Sequence, residues 1–228
     1  MRIAVLSDIH GNLVALDAVV ADIRRQGPDE VWCGGDIAWG GPWGKECIAR
    51  VRDEDWPTVK GNCDVWITGD PQTLEDEGDR REVADIAAAH NLGDDDVQWL
   101  LNLPLGHSAA GSLLLVHGTP QSPFAAPEPD GAPAEFKSYE GVASVVVYGH
   151  VHVAFTRRLP DGTTVCNPGS VGLPKDDDTA SYLLIDRVGP DWVFRLRRVE
   201  FDREAAIAAA RDMGGVIEQI FLTNMGAS

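Results

Sequence analysis

The chain is poor in positive charge. Among 228 residues, 19 Lys and Arg stand against 36 Asp and Glu, a formal net charge of −17. A surface of that sign repels a phosphate backbone, which basic side chains must neutralise, so duplex nucleic acid is not an expected partner. Cysteine is scarce: Cys33, Cys47, Cys63 and Cys166 lie far apart with no CxxC pair. That excludes a disulfide framework and a zinc ribbon and points to the reducing cytoplasm. No apolar run approaches the ~18 residues of a membrane span. The amino terminus turns polar after Leu6, so no signal-peptide core is expected. Repeats and low-complexity tracts are absent as well.

What remains is an alternation of short apolar runs and helical spacings. Residues 1–7 predict a buried strand, 12–26 a helix with Asn12 as N-cap and Gly27-Pro28 as stop, and 30–34 a second strand. A helix over 45–52 and a third strand over 57–60 complete βαβ units in the amino-terminal half. Residues 70–103 predict helices, 112–117 and 144–148 buried strands, and 118–133 a proline-rich loop. Pro160-Asp161-Gly162 marks a hairpin between strands at 155–159 and 163–167. A second strand pair is expected at 181–186 and 192–201, then a helix over 202–213 behind an Asp cap. The expectation is one α/β domain over 1–228, with a core at 2–200 and a helical tail at 202–228 that covers the sheet.

The chemistry-bearing residues follow the predicted strands. Asp8 and His10 follow the first, Asp36 the second and Asn62 the third. His117 ends the next, and His150 and His152 follow another. In an extended backbone, residues two apart point the same way, which would aim Asp8 with His10 and His150 with His152. Two aspartates, an asparagine and four of the six histidines make seven oxygen and nitrogen donors. If one carboxylate bridges, they offer eight contacts, enough for two divalent ions ~3.5–4 Å apart. A thiolate-free, imidazole-rich set favours manganese or iron, then nickel or zinc, over magnesium or calcium. Each fragment alone reads as a cap, a turn or a structural histidine; their ordered recurrence at strand ends is what carries the metal reading.

The stretches SDIHGN, GGD, GNCD, HGTP, GHVH and NPGSVGLP resemble the calcineurin-like metallophosphoesterases, in particular their small bacterial and archaeal phosphodiesterase branch. The resemblance covers roughly residues 2–200. It implies a four-layer α/β/β/α sandwich with mixed sheets and a dinuclear site at one edge. It also implies that one ion takes Asp8, His10, Asp36 and His152 and the other Asp36, Asn62, His117 and His150, with Asp36 bridging. The implied reaction is hydrolysis of a small phosphate ester, a phosphodiester or nucleotide, by metal-bridged hydroxide, with Asp8, Asp36, Asn62 and His117 in the catalytic set. The alternatives are an inactive scaffold on the same fold, whose known examples usually lack part of the donor set, and a dinuclear hydrolase of another ester class.

Several residues keep two readings. Many family members carry His directly after the motif Asn, where it can protonate the leaving group; here Cys63 stands there, either packing or leaving acid catalysis weak. Asp64 either orients a ligand from behind or belongs to a turn. Asn167 to Ser170 is either an anion-binding run of amides or a tight turn. The loops at 40–43 and 118–133 are candidates to line a substrate cleft, with Trp39, Trp43, Trp66 and Phe124 either stacking on a base or aryl group or filling core.

Overall fold

A computed structural model describes residues 1–68, 74–109 and 112–227. Nine strands form two mixed sheets. The first contains β1 (Arg2–Leu6), β2 (Glu30–Cys33), β8 (Ala180–Val188) and β9 (Asp191–Val199) in the order β2-β1-β8-β9. The second contains β3 (Gly106–Ala109), β4 (Leu113–Val116), β5 (Val145–Tyr148), β6 (Phe155–Arg158) and β7 (Thr164–Asn167) in the order β3-β4-β5-β7-β6. β1 and β2 run parallel, as do β4, β5 and β7, and the remaining pairs are antiparallel.

Alternation along each strand sorts side chains between layers. Ile3 and Val5 of β1 and Leu183 and Ile185 of β8 enter the space between the sheets. There they meet Leu113, Leu115, Val145, Val147 and Cys166. Ala4, Leu6, Tyr182 and Leu184, one residue out of phase, face the helices. α1 (Leu13–Gln26) packs there through Leu16, Val19, Val20 and Ile23, and α2 (Gly44–Asp53) through Cys47, Ile48 and Val51. α4 (Glu77–His90) and α5 (Asp94–Leu101) add Val83, Ile86 and Leu100 to the same core. The outer face of the second sheet buries Val146, Tyr148 and Val165 under Phe136 and Tyr139 of a 3₁₀ helix, Pro133–Tyr139. The expected α/β/β/α order holds, with that 3₁₀ helix as the thin fourth layer.

The predicted caps form: Asn12 Oδ1 accepts from Ala15 N at 3.1 Å, and Asp202 Oδ1 from Ala205 N at 3.0 Å, opening α6 (Arg203–Met213). Three features differ from expectation. The third strand over 57–60 is only a bridge between Thr58 and Cys33. Pro57 has no amide to extend the ladder, and Lys60 N turns away to Pro104 O at 2.8 Å. Gly61-Asn62 opens a short helix, α3 (Asn62–Trp66), instead of a plain turn. β3, with sequence GHSA, escapes the hydrophobic pattern because it is a half-exposed edge. The first residues of the helical expectation at 70–103 lie partly outside the described residues. A last helix, α7 (Gly215–Asn224), packs on α6 and α4 rather than on the sheet. Among the described residues no helix is long and apolar enough to cross a membrane.

Candidate metal centre

All seven candidate donors meet at the carboxyl ends of β1, β2, β4 and β5 and at the start of α3. The aim of the side chains does not come from an extended backbone, as expected above. Asp8, His10, Asp36, His150 and His152 have φ between 50° and 70°, five of the seven non-glycine residues at positive φ among the described residues. A left-handed residue costs of order 1–3 kcal/mol and persists where its surroundings over-determine it, which is typical of functional sites. Glycines let the backbones close in: a Cβ at Gly61 would collide with Asp36 Oδ1, and one at Gly149 with Ser7 Oγ.

Three imidazoles are held by backbone carbonyls. His10 Nδ1 donates to Trp39 O at 3.0 Å, His117 Nδ1 to Gly34 O at 2.7 Å and His152 Nδ1 to Leu173 O at 2.8 Å. A carbonyl only accepts, so each Nδ1 carries a proton and each Nε2 is turned inward. The polar atoms then gather into two groups. Asp8 Oδ1 lies 3.3 Å from His152 Nε2, and His152 Nε2 lies 3.0 Å from His10 Nε2. Asn62 Oδ1 lies 3.0 Å from His117 Nε2 and 2.8 Å from His150 Nδ1. Asp36 Oδ2 joins both, 3.7 Å from His10 Nε2 and 3.3 Å from His117 Nε2.

This donor set fits divalent ions. The Nε2 atoms of His10 and His152 lie 3.0 Å apart, close enough to share one divalent ion. Burial and then His152 push His10 down to about 4, so its ring stays neutral and able to ligate. Two donors each bound at ~2.1 Å to one ion, at right angles, stand ~3 Å apart, the separation found here. The other half also asks for a cation. Burial opposes a charge on His117, yet the Asp36 carboxylate overrides it and pushes the ring up to about 10. Burial likewise works against ionised Asp8 and Asp36, but His152 and His117 respectively pull them below the usual carboxylate range. A dication would replace the His117 proton.

Asp64 supports this centre from behind. Its carboxylate accepts from the amides of Asp36 at 2.8 Å, Ile37 at 2.9 Å and Gly61 at 2.9 Å, so it fixes the loop that bears Asp36. Burial and the Asp36 charge push it up to about 6. Cys63 is buried, and its Sγ takes a hydrogen bond from Asn62 Nδ2 at 3.3 Å, which leaves Asn62 Oδ1 aimed at His117 and His150. Cys63 clusters with His10 and Asp36, and burial and then Asp36 push its thiol well up in the absence of an ion.

The run from Asn167 to Ser170 braces the centre. Gly169 N donates to Asn167 Oδ1, and just beyond the run Val171 N donates to Ser7 O, Gly172 N to Asp8 O and Leu173 N to Ser170 Oγ. Ser170 Oγ donates to Asp8 O at 2.7 Å and Asn167 Nδ2 to Gly149 O at 2.6 Å, tying both donor loops to β7. His90, which motif reasoning missed, accepts from Gly40 N at 3.1 Å and steadies the loop that carries Trp39 O. Trp43 leaves the expected cleft and packs with Leu173 and Phe221.

Over residues 1–188 the chain matches the calcineurin-like phosphoesterase superfamily domain, and it belongs to that superfamily. It is 30% identical over 224 residues to an uncharacterized protein of Methanocaldococcus jannaschii, covering 90% of this chain and 89% of that one. The crystal structure of a metallophosphoesterase from Sphaerobacter thermophilus superposes with a TM-score of 0.76 at 28% identity, covering 100% of this chain and 99% of that one. A hypothetical protein from Pyrococcus horikoshii superposes with a TM-score of 0.76 at 19% identity over 96% and 97% of the two chains, a likeness of fold alone.

Proposed function

We propose that this protein hydrolyses phosphate esters, phosphodiesters or nucleotides, at a centre of two divalent ions, with manganese or iron the best suited. The observation that carries the reading is the pair of donor groups sharing Asp36 Oδ2. Asp8, His10, Asp36 and His152 would hold one ion, and Asp36, Asn62, His117 and His150 the other. Ions bound there supply a water nucleophile at neutral pH and offset the charge of the phosphate oxygens.

The protein's own part is placement. Backbone carbonyls fix the tautomers of His10, His117 and His152, so no ring has to reorient during turnover. Asp64 and Ser170 hold the segments of Asp36 and Asp8, and burial of both carboxylates keeps competing water away. Every donor position is filled, which argues against the inactive-scaffold alternative. Four buried free thiols suit a reducing cytoplasm.

The test is hydrolysis of bis(p-nitrophenyl) phosphate and p-nitrophenyl phosphate by the manganese-loaded protein and by Asp36→Asn. Turnover that chelator abolishes, and that the substitution lowers at least ~100-fold, supports the proposal. No turnover, or turnover indifferent to Asp36, defeats it.

A further inference from the structure

Three segments that carry a donor also carry an aromatic ring a few residues on. Trp39 follows Asp36, Trp66 closes the helix that Asn62 opens, and Phe124 lies in the loop leaving His117. The rings form one row: Trp39 and Trp66 meet edge to face at 5.9 Å, and Trp66 and Phe124 meet at 6.2 Å, tilted by 37°. The row is tied to the centre, since Trp39 O accepts a hydrogen bond from His10 Nδ1. Trp39 and Trp66 then line a cleft of about 920 Å³ together with residues of α4 and α7, Ile86 and Ile220 among them. Drug-sized ligands occupy pockets of ~300–1,000 Å³, so the space suits a ring system.

We infer that this cleft is the subsite for a flat, uncharged aromatic group of the substrate, a nucleobase or aryl ring whose phosphate sits at the metal centre. The inference rests on the phosphoesterase reading and narrows its substrates. Indole and aliphatic walls favour stacking of a planar ring. The rim carries Asp79, Glu82 and Asp85 against Arg81, so an anionic tail such as a polyphosphate is repelled and a neutral ring admitted. The Gln219 side-chain amide on the same rim offers a donor and an acceptor to ring heteroatoms. Trp39 lies three residues after Asp36 and Trp66 four after Asn62, so the segments that carry these donors also build a wall of the cleft.

The test uses phosphonates, which have no ester bond to cleave: phenylphosphonate, the methylene phosphonate analogue of adenosine monophosphate, and methylphosphonate. Each is titrated calorimetrically into the manganese-loaded full chain. At least one aromatic ligand is expected to bind about tenfold tighter than methylphosphonate, the scale of one stacked base. Trp66→Ala, and Ile220→Trp filling the cleft from α7, are each expected to abolish that preference and leave methylphosphonate affinity within about threefold. Circular dichroism and manganese stoichiometry qualify the variants; if Trp66→Ala fails to fold, Ile220→Trp decides. Preference for the adenosine compound marks a nucleobase site, and equal or stronger binding of phenylphosphonate marks an aryl site. No aromatic preference in the parent, or one that survives Ile220→Trp, overturns the inference. Hydrolysis of bis(p-nitrophenyl) phosphate without aromatic preference sinks the subsite alone; intact preference without any hydrolysis sinks the phosphoesterase reading alone.

Discussion

His10 Nε2 and His152 Nε2 face each other at 3.0 Å, each on a ring whose Nδ1 proton is given to a backbone carbonyl. An ion held by both nitrogens binds the folded state and not the unfolded chain, so it stabilises the fold. Manganese at 100 times its dissociation constant is expected to stabilise the fold by about 2.7 kcal/mol. For a chain of this length that raises Tm by roughly 5–10 °C. Thermal melts with manganese and with chelator measure it. His152→Ala should cut the shift at least in half, and a parent whose Tm ignores manganese would contradict the ion-bound reading of this pair.

Ser170 ties the carboxyl end of β1 to β7. Its hydroxyl donates to Asp8 O at 2.7 Å and accepts from Leu173 N at 2.8 Å, fully buried. Ser170→Ala leaves the Leu173 amide without its partner, while Asp8 O keeps Gly172 N, and the loss costs about 1–3 kcal/mol in urea unfolding. Because the same bond holds the left-handed turn of Asp8, manganese affinity should fall about 10-fold or more. A variant that loses stability but keeps parental metal affinity would show that Ser170 acts on the fold only.

That these seven side chains gather in one place was legible in sequence, because strand ends seldom collect carboxylates and imidazoles by chance. Their aim was not legible. It comes from the carbonyls of Gly34, Trp39 and Leu173, and every residue has a carbonyl. Nor does a two-residue spacing reveal that Asp8, His10, His150 and His152 all take left-handed backbone. The helices and inner strands followed from apolar periodicity, whereas β3 and α3 did not: one is a polar edge, and the other is too short for a helical period. Trp43 and Trp66 look alike in sequence. Only the packing of α7 sends Trp43 to Phe221 and leaves Trp66 on the cleft.

His90 makes acid stability a readout of loop 39–44. Burial holds its imidazole down to about 4 from an ordinary 6.5, and its Nε2 accepts from Gly40 N. Below 6.5 the unfolded chain takes up a proton that folded His90 refuses, so the unfolded state binds more protons and stability falls as pH drops through this window. Between pH 7.5 and 5.5 the loss from this group is roughly 1.3 kcal/mol. His90→Gln keeps an acceptor for Gly40 and cannot titrate. Urea unfolding of the chelated proteins across that range should give the variant a shallower pH dependence by that amount; parallel curves would refute the assignment.

Cys63 bears on the choice of leaving group. Its thiol lies with His10 and Asp36 inside the centre, and burial and then Asp36 push it well above the usual thiol range. A thiol held that high is a weak general acid near neutrality, so the parent should favour aryl leaving groups, which depart unprotonated. Cys63→His puts an ordinary proton donor at that point. General acid catalysis is commonly worth ~10²–10⁴-fold, so kcat/KM for a dialkyl phosphodiester should rise by about 100-fold relative to bis(p-nitrophenyl) phosphate. The larger ring replaces a buried thiol that accepts from Asn62 Nδ2 at 3.3 Å, at a stability cost of about 1–3 kcal/mol. Cys63→Ser serves as the control and should leave the alkyl-to-aryl ratio unchanged. An equal change on both esters would mean that the ring repositions Asn62 and supplies no proton.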